Sequence, residues 1–137
     1  MQARKRLAWL ALPLMALVIA SLACGTGYRT SSSITGLSGK SRIQMNSANG
    51  LNTNSLEIND DWSYTEVNAT VTFSVSEGSC QATLTGNENT SIIVNATAGN
   101  PGQTAGILVT DGFGEVDMDT NCQDAKELDL LVEFTRK

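Results

Sequence analysis

The chain contains no histidine. That absence removes the usual base of a nucleophilic triad, the common proton shuttle near neutral pH and the commonest zinc ligand. Aromatic residues make up only 5% of the sequence, so few large side chains are available to stabilise a core. Basic residues are outnumbered, with 9 Lys and Arg against 14 Asp and Glu. Binding to nucleic acid needs clustered cations to neutralise phosphates, so nucleic acid is excluded as a partner. The same balance argues against an electrostatic contact with anionic lipid. No stretch after residue 41 shows a long amphipathic period of 3.6, which leaves a single helical candidate of one turn at residues 124–127.

What is present begins with one long apolar run. Residues 1–6 carry Arg4, Lys5 and Arg6 with no acid, and residues 7–23 are apolar apart from Pro13 and Ser21. A basic start, an apolar stretch and small residues at its end make an export signal, delivering the rest of the chain outside the cytoplasm. The run is short for a comfortable membrane span of about 20 residues. Removing it leaves one domain's worth of chain, more acidic than the whole. The cysteines are Cys24, Cys80 and Cys122. An odd number in an exported protein calls for an explanation, and the simplest is that Cys24 is chemically occupied while Cys80 and Cys122 form a disulfide.

Ser21-Leu22-Ala23-Cys24-Gly25 resembles the lipobox of bacterial lipoproteins, although Ser21 stands where that class usually has leucine. The resemblance covers only about the first 25 residues. It implies cleavage before Cys24, a diacylglycerol on its thiol, acylation (palmitate) of its new amine and a lipid-anchored place in the cell envelope, facing away from the cytoplasm. Several acyl chains anchor stably where one is marginal. Two alternatives stay open: Ser21 and Ala23 also fit the small-x-small site of the general signal peptidase, and an uncut segment would itself serve as an anchor. Residues 24–40, rich in Gly, Ser and Thr, read as the lipidated cysteine followed by a flexible tether of roughly 22 Å. An alternative lets Ile34 and Leu37 begin a first strand.

From residue 41 the period is two. Val67, Ala69, Val71, Phe73 and Val75 alternate with polar residues, then Cys80, Ala82 and Leu84 do so after a turn at Glu77-Gly78-Ser79. Further strands are expected at residues 91–98, 104–110, 115–122 and 128–135, with earlier ones around Ile43 and Met45 and around Leu56 and Ile58. About 7 or 8 short strands with Gly and Asn turns define an all-β domain over residues 41–137, a small antiparallel β-sandwich, Ig-like or barrel-like. Both cysteines fall on the apolar phase, as a buried inter-strand disulfide requires. With no histidine and both thiols bridged, the chain reads as non-catalytic. Paired carboxylates can hydrolyse glycosides, but they need a cleft in a larger body.

Two local patterns are candidate sites. Asp117, Asp119 and Asn121, among Asp111, Glu115 and Asp124, imitate the opening of a calcium loop. The pattern then fails, with Cys122 in place of glycine and Leu128 in place of the closing glutamate. Strand alternation explains the same spacing without a metal, so no cofactor is expected and calcium remains the one alternative. Asp60-Asp61-Trp62-Ser63-Tyr64 offers Trp62 and Tyr64 as a platform on which a sugar ring could stack, or as a cap on the core. Gly112-Phe113-Gly114 reads only as a turn. The expected partners are the membrane, through the lipid, and a protein or glycan at the domain surface.

Overall fold

Alternation of apolar and polar residues decides most of the strands. A computed structural model describes residues 27–58 and 63–137. These residues form seven antiparallel strands and no helix. The strands are β1 (Arg29–Thr35), β2 (Ser38–Glu57), β3 (Glu66–Ser74), β4 (Glu77–Thr85), β5 (Ser91–Thr97), β6 (Gly102–Val109) and β7 (Glu115–Arg136). In β3, Val67, Ala69, Val71 and Phe73 are buried while the residues between them are not. In β5, Ile92, Val94 and Ala96 are buried in the same way. Branched and aromatic side chains on one dry face are what a half-solvated sheet favours.

Two strands organise the rest. β2 has 20 residues and β7 has 22, several times the usual length of a strand, and they pair along almost their whole length. The register slips once: Ala48 faces Ala125, but Gly50 faces Cys122, so β7 carries an extra residue there. β4 meets the same extra residue, since Glu77 faces Lys126 while Ser79 faces Gln123. Such a bulge bends a strand and increases its twist. Gly78 makes the bend possible on the β4 side. Its φ is +72°, and a Cβ there would collide with the carbonyl oxygens of Gln123 and Asp124.

At this bend β7 changes neighbours. Residues 129–136 pair with β3, and residues 117–126 pair with β4. The first layer therefore runs β1-β2-β7-β3-β6, and the second is built from the other arms of β2 and β7 with β4 and β5. The two layers fold face to face. Phe73, Leu130 and Val132 from the first and Leu84, Val94 and Met118 from the second belong to one buried cluster. Ser41 Oγ donates to the Glu57 carbonyl at 2.6 Å, tying the two arms of β2 together. Asn87 N donates to Val109 O at 2.7 Å and ties the layers at the same end. The result is the expected antiparallel β-sandwich.

The register also defines two poles. The lower pole holds the bend, the turns after β3 and β5, and Gly27, which lies against Asn46. The upper pole gathers the β1–β2 turn, residues 63–65, 86–90 and 110–114, and Lys137.

Three expectations need correction. The helical turn at residues 124–127 does not form: Asp124 and Glu127 both have φ of 48°, and they flank buried Ala125 inside one continuous strand. Residues 115–122 and 128–135 are thus arms of a single strand, as are the segments around Ile43 and Leu56. Residues 29–40 are not a tether, because β1 pairs with β2 from Arg29 opposite Gln44 to Thr35 opposite Ser38. Main-chain pairing at a sheet edge is indifferent to side-chain polarity, so a run of serines and threonines can form a strand. The alternative reading of Ile34 is the one observed, as it packs against the core. The disulfide is the expected buried inter-strand bridge, and it joins adjacent strands within one layer, with Cys80 directly opposite Cys122.

Candidate functional site

The upper pole presents aromatic rings on a hydrogen-bonded base. Thr110, fully buried, fixes it: its Oγ1 accepts from Thr65 N at 2.9 Å and donates to Ser63 O at 3.0 Å. Its backbone N donates to Thr65 O at 2.9 Å. In the next turn, Asp111 Oδ1 accepts from Phe113 N at 2.8 Å and from Glu115 N at 3.0 Å. Asp111 N returns a bond to Glu115 O at 2.8 Å, and Ile58 N bonds Gly114 O at 2.9 Å. A carboxylate that accepts two backbone N–H groups holds a short turn without help from packing.

Tyr64 and Phe113 stand on this base at 70% and 62% exposure. A Cβ on Gly112 would sit 3.5 Å from the Tyr64 ring, so the ring lies beside the backbone of the turn that carries Phe113. The other domain phenylalanines, Phe73 and Phe134, are in the core. In a chain with few aromatics, Tyr64 and Phe113 are two that stand exposed at the same pole. Trp62, expected to share a platform with Tyr64, lies outside the described residues. Phe113 was not legible as a site residue from sequence. The available signal was an aromatic at the tip of an Asp-Gly turn, where burial is not an option.

The acidic pattern is arranged differently. Asp117, Asp119 and Asn121 share the outer face of β7, flanked by Ser55, Thr53 and Leu51 of β2 and by Thr85, Thr83 and Gln81 of β4. Thr53 Oγ1 donates to Asp119 Oδ1 at 2.8 Å. Alternate residues on a strand are about 6.7 Å apart, so these side chains stand in a row along the strand. No loop forms over residues 117–128, and among the described residues no group of three or more Cys, Asp or Glu is placed to hold a metal ion.

On the outer face of the first layer the charges are paired across strands. Arg42 Nε donates to Asp129 Oδ1 at 2.8 Å, and its Nη2 bonds Oδ2. This contact holds the Asp129 carboxyl below the usual carboxylate range and raises the Arg42 guanidinium. Lys40 lies 3.7 Å from Glu133, and Lys137 is paired with Glu66. In the second layer, Cys80 and Cys122 are 4% and 1% exposed and bonded to each other, so neither thiol is available as a nucleophile. Cys24 lies outside the described residues.

No protein-family model matches the chain, and no curated protein matches its sequence. Several solved structures are distantly similar. One is a carbohydrate-binding module of lichenase 5A from Cellvibrio mixtus, in complex with cellotriose. It has 13% identity and a TM-score of 0.36, with 83% of this chain and 91% of that one covered. Another is the CBM22-1 xylan-binding domain of Paenibacillus barcinonensis Xyn10C, at 12% identity and a TM-score of 0.41, covering 82% of each chain. A third is a Bacillus thuringiensis Cry1Da tryptic core variant, at 9% identity and a TM-score of 0.40, covering 79% of this chain and 23% of that one. Scores and identities this low carry neither ligand nor residue roles across to this chain.

Proposed function

We propose that this chain is an exported, lipid-anchored and non-catalytic β-sandwich of the cell envelope, whose upper pole binds glycan. The observation that carries the reading is the placement of the two ends. Gly27 lies at the lower pole, and Tyr64 and Phe113 lie at the upper one. Cys24 precedes Gly27 by three residues, a covalent reach of at most about 11 Å. A lipid on Cys24 therefore holds the lower pole at the membrane surface. Strands of about eight residues then lift the aromatic pole about 25 Å higher, clear of the headgroups. The lack of histidine and the bridging of both domain cysteines support a role in binding over one in chemistry. Exposed aromatic faces match the apolar C–H faces of sugar rings, while the surrounding hydroxyls and amides match their edges.

Two measurements test the parts separately. Cells fed radiolabelled palmitate should label the wild-type protein but not Cys24→Ala, and label retained by the variant refutes the anchor. Tryptophan fluorescence of the purified protein, titrated with a broad polysaccharide panel, should respond to at least one polymer. The response should weaken in Tyr64→Ala and Phe113→Ala. Silence across the panel removes the glycan reading and leaves the anchor untouched.

A further inference from the structure

The outer face of the first layer is hollowed across all five of its strands. A groove of about 800 Å3 crosses it in the upper half, from Ser33 and Thr35 on β1 to Ala105 and Ile107 on β6. Its middle is formed by Asn68 and Thr70 of β3 and by the Lys40–Glu133 pair. The register explains the alignment. Ser33, Lys40, Glu133, Thr70 and Ala105 succeed one another across the sheet in one row, and Thr35, Ser38, Thr135, Asn68 and Ile107 form the next.

We propose that this groove binds a linear, uncharged polysaccharide lying across the strands. The proposal rests on the glycan reading above and names the class of glycan and a second surface that holds it. Four features point the same way. The polar groups of the two rows other than the ion pair are hydroxyls and one amide, which both donate and accept, as sugar hydroxyls do. The only charges in the groove neutralise each other, with Lys40 and Glu133 at 3.7 Å. An anionic or cationic polymer thus gains no net Coulomb attraction. Four interstrand spacings of about 4.8 Å give a length of roughly 19 Å, room for about four pyranose units of roughly 5 Å each. Of the apolar side chains that line it, Ala105 and Ile107 are exposed while Ala69 and Phe134 are buried, whereas a protein interface needs an apolar or aromatic centre.

The test is native gel electrophoresis of the full chain in detergent, with polysaccharide cast into the gel. The probes are a mixed-linkage β-glucan and a galactomannan, both neutral, and polygalacturonate, which is anionic. At least one neutral polymer should retard the wild type, equally at low and high salt, and polygalacturonate should not. Asn68→Ala/Thr70→Ala should weaken that retardation by roughly tenfold or more. Thr70→Val keeps the branched shape and strand preference, and should weaken it in part with an unchanged melting temperature. Full retardation in the groove variants, with loss in Tyr64→Ala/Phe113→Ala, overturns the groove and leaves the aromatic pole standing. Retardation by polygalacturonate alone, or retardation that salt abolishes, overturns the claim of a neutral ligand. If no polymer retards the protein, both glycan surfaces fall, while palmitate labelling still decides the anchor.

Discussion

On the outer face of the first layer, Lys40, Arg42 and Lys137 each meet a carboxylate across a strand boundary, and Arg29 sits at the lower corner. In the second, Lys126 pairs with Glu77 at 3.1 Å at the lower end, while Glu57, Glu115, Asp117 and Asp119 stand together in the upper half, where the neighbouring stretches of β2, β4 and β7 supply no cation. Glu57 even faces Glu115 directly. The two faces share the same two long strands, so the difference lies in which arm of each strand carries the charges. A paired face attracts neither sign and suits an uncharged ligand. The acidic upper half of the second layer repels anions and further copies of itself, which protects the sheet from edge and face association.

The largest expected contrast comes from the cross-link, which only the second layer has. The chain-entropy account gives about 4 kcal/mol for a bridge closing a loop of this length, so Cys80→Ala/Cys122→Ala should lose that much in urea unfolding. Amide exchange should accelerate in β4 and β5 before β3 and β6, and uniform acceleration would mean that the layers do not differ in local stability. A smaller effect should come from Thr120, a second-layer core residue whose buried hydroxyl has no hydrogen-bond partner. Thr120→Val removes an unsatisfied polar atom with little change of shape and should raise stability by about 1 kcal/mol.

Relief of repulsion on the acidic face should be smaller still. Glu115→Gln should stabilise by about 0.3 kcal/mol at low salt, and the gain should disappear at high ionic strength. The smallest effect concerns the paired face and appears only as a change in pH dependence. Asp129 titrates below its unfolded value because Arg42 hydrogen-bonds its carboxylate. Its contribution is therefore present above the ordinary carboxylate range near 4 and is lost as pH falls through the depressed folded value. Arg42→Gln should remove that contribution at neutral pH and flatten the acid limb of stability. Variant and wild type should converge at the lowest pH, which urea unfolding across an acid series measures.

How much of this was legible in the sequence depended on phase. β3, β4 and β5 keep one alternation from end to end, so Val67 to Phe73 and Cys80 to Leu84 announced their buried face. β6 misleads: its apolar series Ala105, Ile107 and Val109 is exposed at the first two positions, and Leu108 and Val109 are buried together. β2 and β7 do not keep one phase. Buried residues in β2 are Ser41 and Ile43 before the bulge and Leu56 after it, an odd-to-even change that reads as two separate strands. In β7, Ala125 interrupts the even series of Val116 to Cys122 and Leu128 to Phe134. A bulge shifts phase without breaking pairing, and its signature in a single sequence is the same as that of a loop. β1 was obscured for a different reason, since its stability lies in the main chain and its side chains are polar. At the candidate site, Tyr64 could be named because a Trp and acids surround it in sequence. Phe113 could not, because Tyr64 is far from it in sequence and is brought near its turn by the pairing of β3 with β6 and the bonds of Thr110 with Ser63 and Thr65.

The direction in which β1 runs has a mechanical consequence. The chain enters at the lower pole and climbs as β1, antiparallel to β2 over seven residue pairs. If polymer holds the upper half of the sheet while lipid holds Cys24, tension lies parallel to the strands. The bonds between β1 and β2 are then strained together, in shear, and must give way collectively. An edge strand running the opposite way would be peeled off one bond at a time.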